Sequence, residues 1–248
     1  MTAHVPTLFG LVMTLFRCAA LLTVAPLFGV RTVPARVRLG LAVTVALAAF
    51  LGAGAPPFAS WTRVDALVVG AAAETVRGLA AGLAARFFVD AAAGAGSVMS
   101  LSMGIGFGAL IDPIHGAESN AISELLSFVA LGIAIGLGLP REVIAWLSRS
   151  MIEAPPGATL DLPAYAGVVV ADAVHATALA VRLAYPVLVA VTTGHLAFGL
   201  LNRVTPQIGM GNVGFAVAII AGGGALFLVA PRVAALAADA ARQAVAGG

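Results

Sequence analysis

The side chains of this 248-residue sequence that could do chemistry are few, and most lie inside apolar stretches. Asp172, His175 and Arg182 fall on neighbouring faces of one such stretch. A carboxylate beside an imidazole could relay protons there, because histidine titrates near neutrality and an intramembrane acid can tune it. Glu74, Gly78, Gly82 and Arg86 recur four residues apart, which places them on one stripe of a helix. Gly78 and Gly82 make the GxxxG spacing that lets two helix backbones approach closely. Glu74 with Arg77, and Arg86 with Asp90, are spaced to pair. Such a stripe reads either as charge compensation on a packing face or as a subunit contact or polar pathway. Met99, Met103 and Phe107 form a third stripe, in a segment that also holds Gly94, Gly96, Gly104, Gly106 and Gly108. Methionine is flexible and polarizable, so a Met-lined constriction could close a pore, while such a stripe is more often ordinary core. Interior glycine costs a helix about 1 kcal/mol relative to alanine, so this density argues for a segment that is bent, broken or closely approached.

These residues need a scaffold, and composition names it. The sequence is 61% hydrophobic and 10% charged, with a mean hydropathy of +1.06. Too few polar residues exist to cover a water-facing surface, which excludes a soluble enzyme, a disordered scaffold and a disulfide framework. All thirteen cations are arginine, and the net charge of +2 is too sparse for nucleic-acid binding. Cys18 is the one cysteine, so no internal disulfide and no cysteine-based metal site can form. Gly209, Gly211 and Gly214 satisfy GxGxxG, but a dinucleotide site needs a preceding strand, which this sequence does not offer. No catalytic constellation and no cofactor motif appears, and the N-terminus lacks the basic region of a signal peptide.

About 20 apolar residues in a helix cross a bilayer core of ~30 Å. Stretches at 6–30, 39–61, 67–88, 91–111, 125–139, 168–197 and 213–229 meet or approach that length. The expectation is an all-α polytopic membrane protein of six or seven helices arranged as hairpins in a single domain, 1–248. Breaks are expected at Val33 and Pro34, Pro56 and Pro57, Asp112 and Pro113, Pro155 to Gly157, and Thr205 and Pro206, since proline restricts its predecessor and donates no hydrogen bond. Arg31, Arg36 and Arg38, without an acid among them, direct the first loop to the cytoplasm.

The order of motifs resembles the FliR/SctT family of type III secretion export-gate subunits. Arg17, then Ala25 to Gly29, then Val33 to Arg38 is similar to that family's first loop; Glu74, Gly78 and Gly82 match its third-helix pattern. Met103 and Gly104 followed by Asp112 and Pro113 match the segment the family uses as a pore plug. Ser150 with Pro155 to Gly157 fits, as does Arg203 to Gln207 with Gly214 and Phe215. Ser102, the stretch from Leu139 to Glu142, and Gly209 with Gly211 depart from the family pattern. The resemblance implies a non-enzymatic subunit of the bacterial inner membrane, in a flagellar basal body or injectisome base. Its partners would be FliP-like and FliQ-like membrane subunits and the FlhB-like switch protein, and its cargo unfolded export substrates. Met99, Met103, Gly104, Phe107, Asp112 and Pro113 would form the gate. Glu74, Arg77, Gly78, Gly82, Arg86, Arg203, Pro206 and Gln207 would make subunit contacts or pack helices. The resemblance also implies hairpins raised out of the membrane plane. A small secondary transporter using Asp172 and His175 is the competing reading.

Overall fold

The structure is a computed structural model in which residues 4–26, 34–105, 120–204 and 210–247 are described. Among them are seven helices: α1 (Val5–Val24), α2 (Ala35–Gly52), α3 (Val64–Ser102), α4 (Ala121–Gly136), α5 (Leu139–Glu153), α6 (Leu162–Val204) and α7 (Met210–Gly247). No described residue is in a strand. The chain is thus all-α and polytopic. Five helices are long and apolar enough to cross a membrane, and α4 with α5 passes the same test only as a broken pair.

Local chemistry sets the ends. Proline occupies the first turn of α1 and of α5, where a missing N–H costs nothing. Pro34 directly precedes α2. Gly138 takes a φ of 88° between α4 and α5, and Gly157 a φ of 90° in the turn before α6, a region that L side chains rarely adopt. The expected breaks at Asp112 and Pro113 and at Thr205 and Pro206 lie outside the described residues.

One expectation is corrected. The stretches 67–88 and 91–111 do not form two spans; α3 runs unbroken from Val64 to Ser102. Between them stand only Val89 and Asp90, and a single aspartate is no helix breaker. With 39 residues, α3 is roughly 58 Å long at 1.5 Å per residue, well beyond a bilayer core. Helices α6 and α7, with 43 and 38 residues, exceed it too. Each carries an internal proline, Pro186 and Pro231, and continues through it.

The helices divide into two compact units, to both of which α3, α4, α6 and α7 contribute. The first comprises Met1–Phe87, Ala134–Ala173 and Ala240–Gly248. Here α1 packs on α2, and α2 on α5. Leu21, Leu22, Phe50, Phe58, Leu147 and Met151 are buried in it. The second comprises Phe88–Ile133 and Val174–Asp239. Its core combines Met99, Met103, Leu126, Leu183, Val187 and Val191 with a run of buried alanines. Small residues let helices approach where no hydrophobic drive from water separates protein from lipid.

Helices α3 and α4 meet closely at Gly96, where an added Cβ would stand 2.6 Å from Ser123 Cα. Ser123 Oγ also donates to Ala93 O at 2.7 Å, tying α4 to α3. Gly96→Ala is therefore expected to destabilise the purified chain by about 1–3 kcal/mol. Gly132→Ala, with open space around the glycine, is expected to be neutral or to gain up to about 1 kcal/mol of helix propensity. Thermal unfolding in detergent checks the pair; a Tm for Gly96→Ala at or above wild type contradicts the packing.

Candidate functional site

The first unit is organised around three charged side chains that lie out of solvent: Arg17, Glu74 and Arg77. An unpaired ion in such surroundings is costly by several kcal/mol, so each must be neutralised and hydrogen-bonded. Arg17 is the one charged residue of 6–30. Its Nε donates to Glu74 Oε2 at 2.5 Å. Its Nη1 donates to Ser150 O at 2.7 Å and to Ser150 Oγ at 3.1 Å, and its Nη2 to Ala154 O at 2.7 Å. The other oxygen of Glu74, Oε1, accepts from Arg77 Nη1 at 2.9 Å. Arg77 Nη2 then donates to Ala158 O and Thr159 O, both at 2.9 Å.

One carboxylate thus holds two guanidinium forks, and the forks hold the backbone between α5 and α6. Ser150 and Ala154 stand at the C-terminal end of α5, whose last carbonyls lack partners within the helix and carry the negative end of its dipole. A planar guanidinium with several fixed donors suits this task better than an ammonium would.

Close backbone approach makes the pairing possible. An added Cβ at Gly78 would stand 2.1 Å from Arg17 O, and one at Gly82 would stand 2.8 Å from Leu21 O. The stripe Glu74, Gly78, Gly82 therefore lies along α1, with the glycines touching its backbone and Glu74 meeting its arginine. Arg86, the next member, is exposed. Gly10 repeats the device nearer the N-terminal end of α1, where an added Cβ would meet Pro56 O at 2.2 Å.

The remaining sequence-derived residues fall elsewhere. Met99 and Met103 are buried in the core of the second unit, where an added Cβ at Gly222 of α7 would collide with Met103. Gly104 follows α3 with a φ of 81°. Phe107, Asp112, Pro113, Pro206 and Gln207 lie outside the described residues. Arg203, near the end of α6, is exposed, as are His175 and Arg182, while Asp172 is half-buried.

Sequence reasoning paired Glu74 with Arg77 three residues on and left out Arg17 as its partner. The available signal was charge balance. A lone arginine in the middle of an apolar helix requires an acid from another helix, and Glu74 is an acid within an apolar stretch.

Removing the shared acid should leave two buried cations facing each other. Glu74→Gln is expected to cost about 3–5 kcal/mol, the range for breaking a buried pair. Arg86→Gln, at an exposed position, is expected to stay within about 0.5 kcal/mol of wild type. Comparison of Tm values in detergent checks this, and equal effects for the two variants would contradict it.

Comparison with known proteins extends the picture. The family model described as Bacterial export proteins, family 1, matches residues 8–244. A protein of Escherichia coli strain K12 named Flagellar biosynthetic protein FliR is 30% identical over 216 residues, covering 84% of this chain and 79% of the relative. Relatives of the same name in Pectobacterium carotovorum and Bacillus subtilis are 29% and 28% identical, covering 87% and 82% of this chain and 82% and 79% of their own lengths. The match takes in α1, the glycine stripe of α3, the clamped segment between α5 and α6, and most of α7. With the all-α membrane architecture and a profile matched across nearly its whole length, this chain belongs to family 1 of the bacterial export proteins.

Proposed function

We propose that the chain is a subunit of the type III protein export gate of the bacterial inner membrane, at the base of a flagellum, where it helps form the channel for unfolded substrates. The family match across 8–244 carries this reading, and the flagellar relatives favour the flagellum over an injectisome. Its role is conduction rather than catalysis, and the whole chain, 1–248, acts as one membrane domain. It assembles with FliP-like and FliQ-like subunits and contacts the FlhB-like switch protein.

Two features support an assembled rather than solitary state. Helices of 38 to 43 residues are longer than a bilayer core requires. Large apolar side chains such as Leu196, Phe227 and Leu228 are exposed, and lipid or neighbouring subunits must cover them. In this reading the segment 99–112 with Pro113 closes the pore. Met99 and Met103 anchor its base in the core of the second unit, and Gly104 turns the chain away from α3. Phe107, Asp112 and Pro113 then form the closing part. The Glu74 to Arg86 stripe and the residues Arg203, Pro206 and Gln207 divide between packing and subunit contact. Arg86 and Arg203, being exposed, take the contact role, while Glu74, Arg77, Gly78 and Gly82 position α1. The transporter reading has no comparable support, since His175 and Arg182 are exposed.

Co-expression with its genomic neighbours, followed by native mass measurement in mild detergent, tests the assignment. A defined hetero-oligomer with two other small membrane proteins is expected; a lone monomer or a symmetric homodimer with those neighbours expressed would overturn it. In the complete assembly, Phe107→Ala is expected to raise the leak of small ions through the closed gate at least severalfold in planar-bilayer recordings. An unchanged leak would remove the closing role from this segment.

A further inference from the structure

Met103 follows directly on α3 and fills a notch between α6 and α7. An added Cβ at Gly222 would stand 2.4 Å from Met103 Cγ, 2.5 Å from its Sδ and 2.8 Å from Val191 Cγ2. The two walls of the notch are tied to each other nearby, where an added Cβ at Gly194 would stand 3.2 Å from Val217 Cγ1 and 3.3 Å from Ala221 Cβ. Little else holds this end of the helix pair to the core. Beyond Val191 no described residue of α6 is buried. Among the described side chains of α7 up to Gly222, only Ala218 and Gly222 are. Leu196, Leu200, Phe215 and Ile220 are exposed there.

Both helices are weakest just behind the notch. In α6, Pro186 lacks the N–H that the Arg182 carbonyl would accept, and its ring crowds that carbonyl. In α7, Gly222 opens a run of three glycines, and only the first has a steric reason within the chain. An added Cβ at Gly223 or Gly224 would meet nothing within 4 Å. Glycine is the poorest helix former after proline, because its backbone loses the most freedom on ordering. Helix bends concentrate at such residues. We infer that the end of the pair, 191–204 with 210–222, tilts as one body about Pro186 and about Gly223 and Gly224, and so seats or releases Met103. The seated contact is the catch of the closed gate. The inference rests on the gate reading and names its regulation. A side chain in a fitted notch is either in or out, because packed contacts switch rather than deform gradually. Methionine, unbranched and adaptable, suits a notch that is left and re-entered.

A disulfide across the notch tests this in the complete assembly. In a Cys18→Ala background, Met103→Cys with Gly222→Cys brings two Cβ atoms within about 4 Å, inside the range a disulfide needs. Cells in which this chain replaces the native one are assayed for secretion of an export substrate, with each single cysteine variant as control. Oxidation by copper phenanthroline is expected to lower secretion at least tenfold in the paired variant alone, without loss of the co-purifying subunits, and reduction to restore it. Secretion undiminished with the disulfide formed, or no disulfide under oxidation, overturns the inference. Gly223→Ala with Gly224→Ala is expected to keep or raise the Tm and to lower secretion severalfold. Full secretion, or loss of partner subunits from the complex, overturns the bend. Deletion of the chain checks the gate reading separately. Secretion that persists without the chain removes that reading, whereas secretion lost on deletion yet indifferent to the disulfide removes the catch alone.

Discussion

An arginine in the middle of an apolar helix is a constraint before it is a contact. Arg17 cannot snorkel to water from its buried position, so the chain must bring a carboxylate to it. Glu74 does so from α3, 57 residues away in sequence. Much of the first unit follows from that meeting. Helix α3 must lie close enough to α1 for a short side chain to reach, and Gly78 and Gly82 remove the Cβ atoms that would hold the backbones apart. The surplus donors of Arg17 must find acceptors, and the carbonyls ending α5 supply them. Arg77 enters as second cation on the same carboxylate and extends the hold to Ala158 and Thr159. One acid thus couples three helices and the segment joining α5 to α6.

The same cluster links the fold to a membrane setting. In lipid, the apolar effect between helices is weak, and close packing of small residues with internal polar bonds carries association instead. The first unit uses both, glycine against backbone along α1 and an ionic centre whose bonds join α1, α3 and α5. The second unit relies on alanine and methionine, with Gly96 against Ser123 and Gly222 against Met103 as its points of nearest approach. Met99 and Met103 lie buried in that core at the C-terminal end of α3.

The apolar stretches of the sequence locate most of the helices, because hydropathy is local, but not α5, whose charged residues Arg141, Glu142, Arg149 and Glu153 kept it from reading as an apolar stretch. The merging of two expected spans into α3 was hidden, since length alone suggested a break that no residue at 88–91 enforces. Glu74 and Arg77 were readable as a pair because their spacing is helical. The Arg17 to Glu74 pair was not, because it depends on which helices become neighbours. The GxxxG spacing announced a close approach without naming α1 as the partner. Met99 and Met103 were open to both core and constriction readings, with core the commoner, and the surrounding helices place their side chains in core.

A double-mutant cycle between Arg17 and Glu74 tests the central claim most directly. Glu74→Leu strands two buried cations, Arg17→Met leaves Glu74 to Arg77 alone, and the double variant leaves Arg77 as the one buried charge of the cluster, so the cycle isolates the Arg17 to Glu74 coupling. The account predicts that the double variant, followed by thermal unfolding in detergent, is more stable than the sum of the single losses by at least about 1.5 kcal/mol. Additive losses would contradict it, because two residues whose effects simply add are not the interaction on which the unit depends.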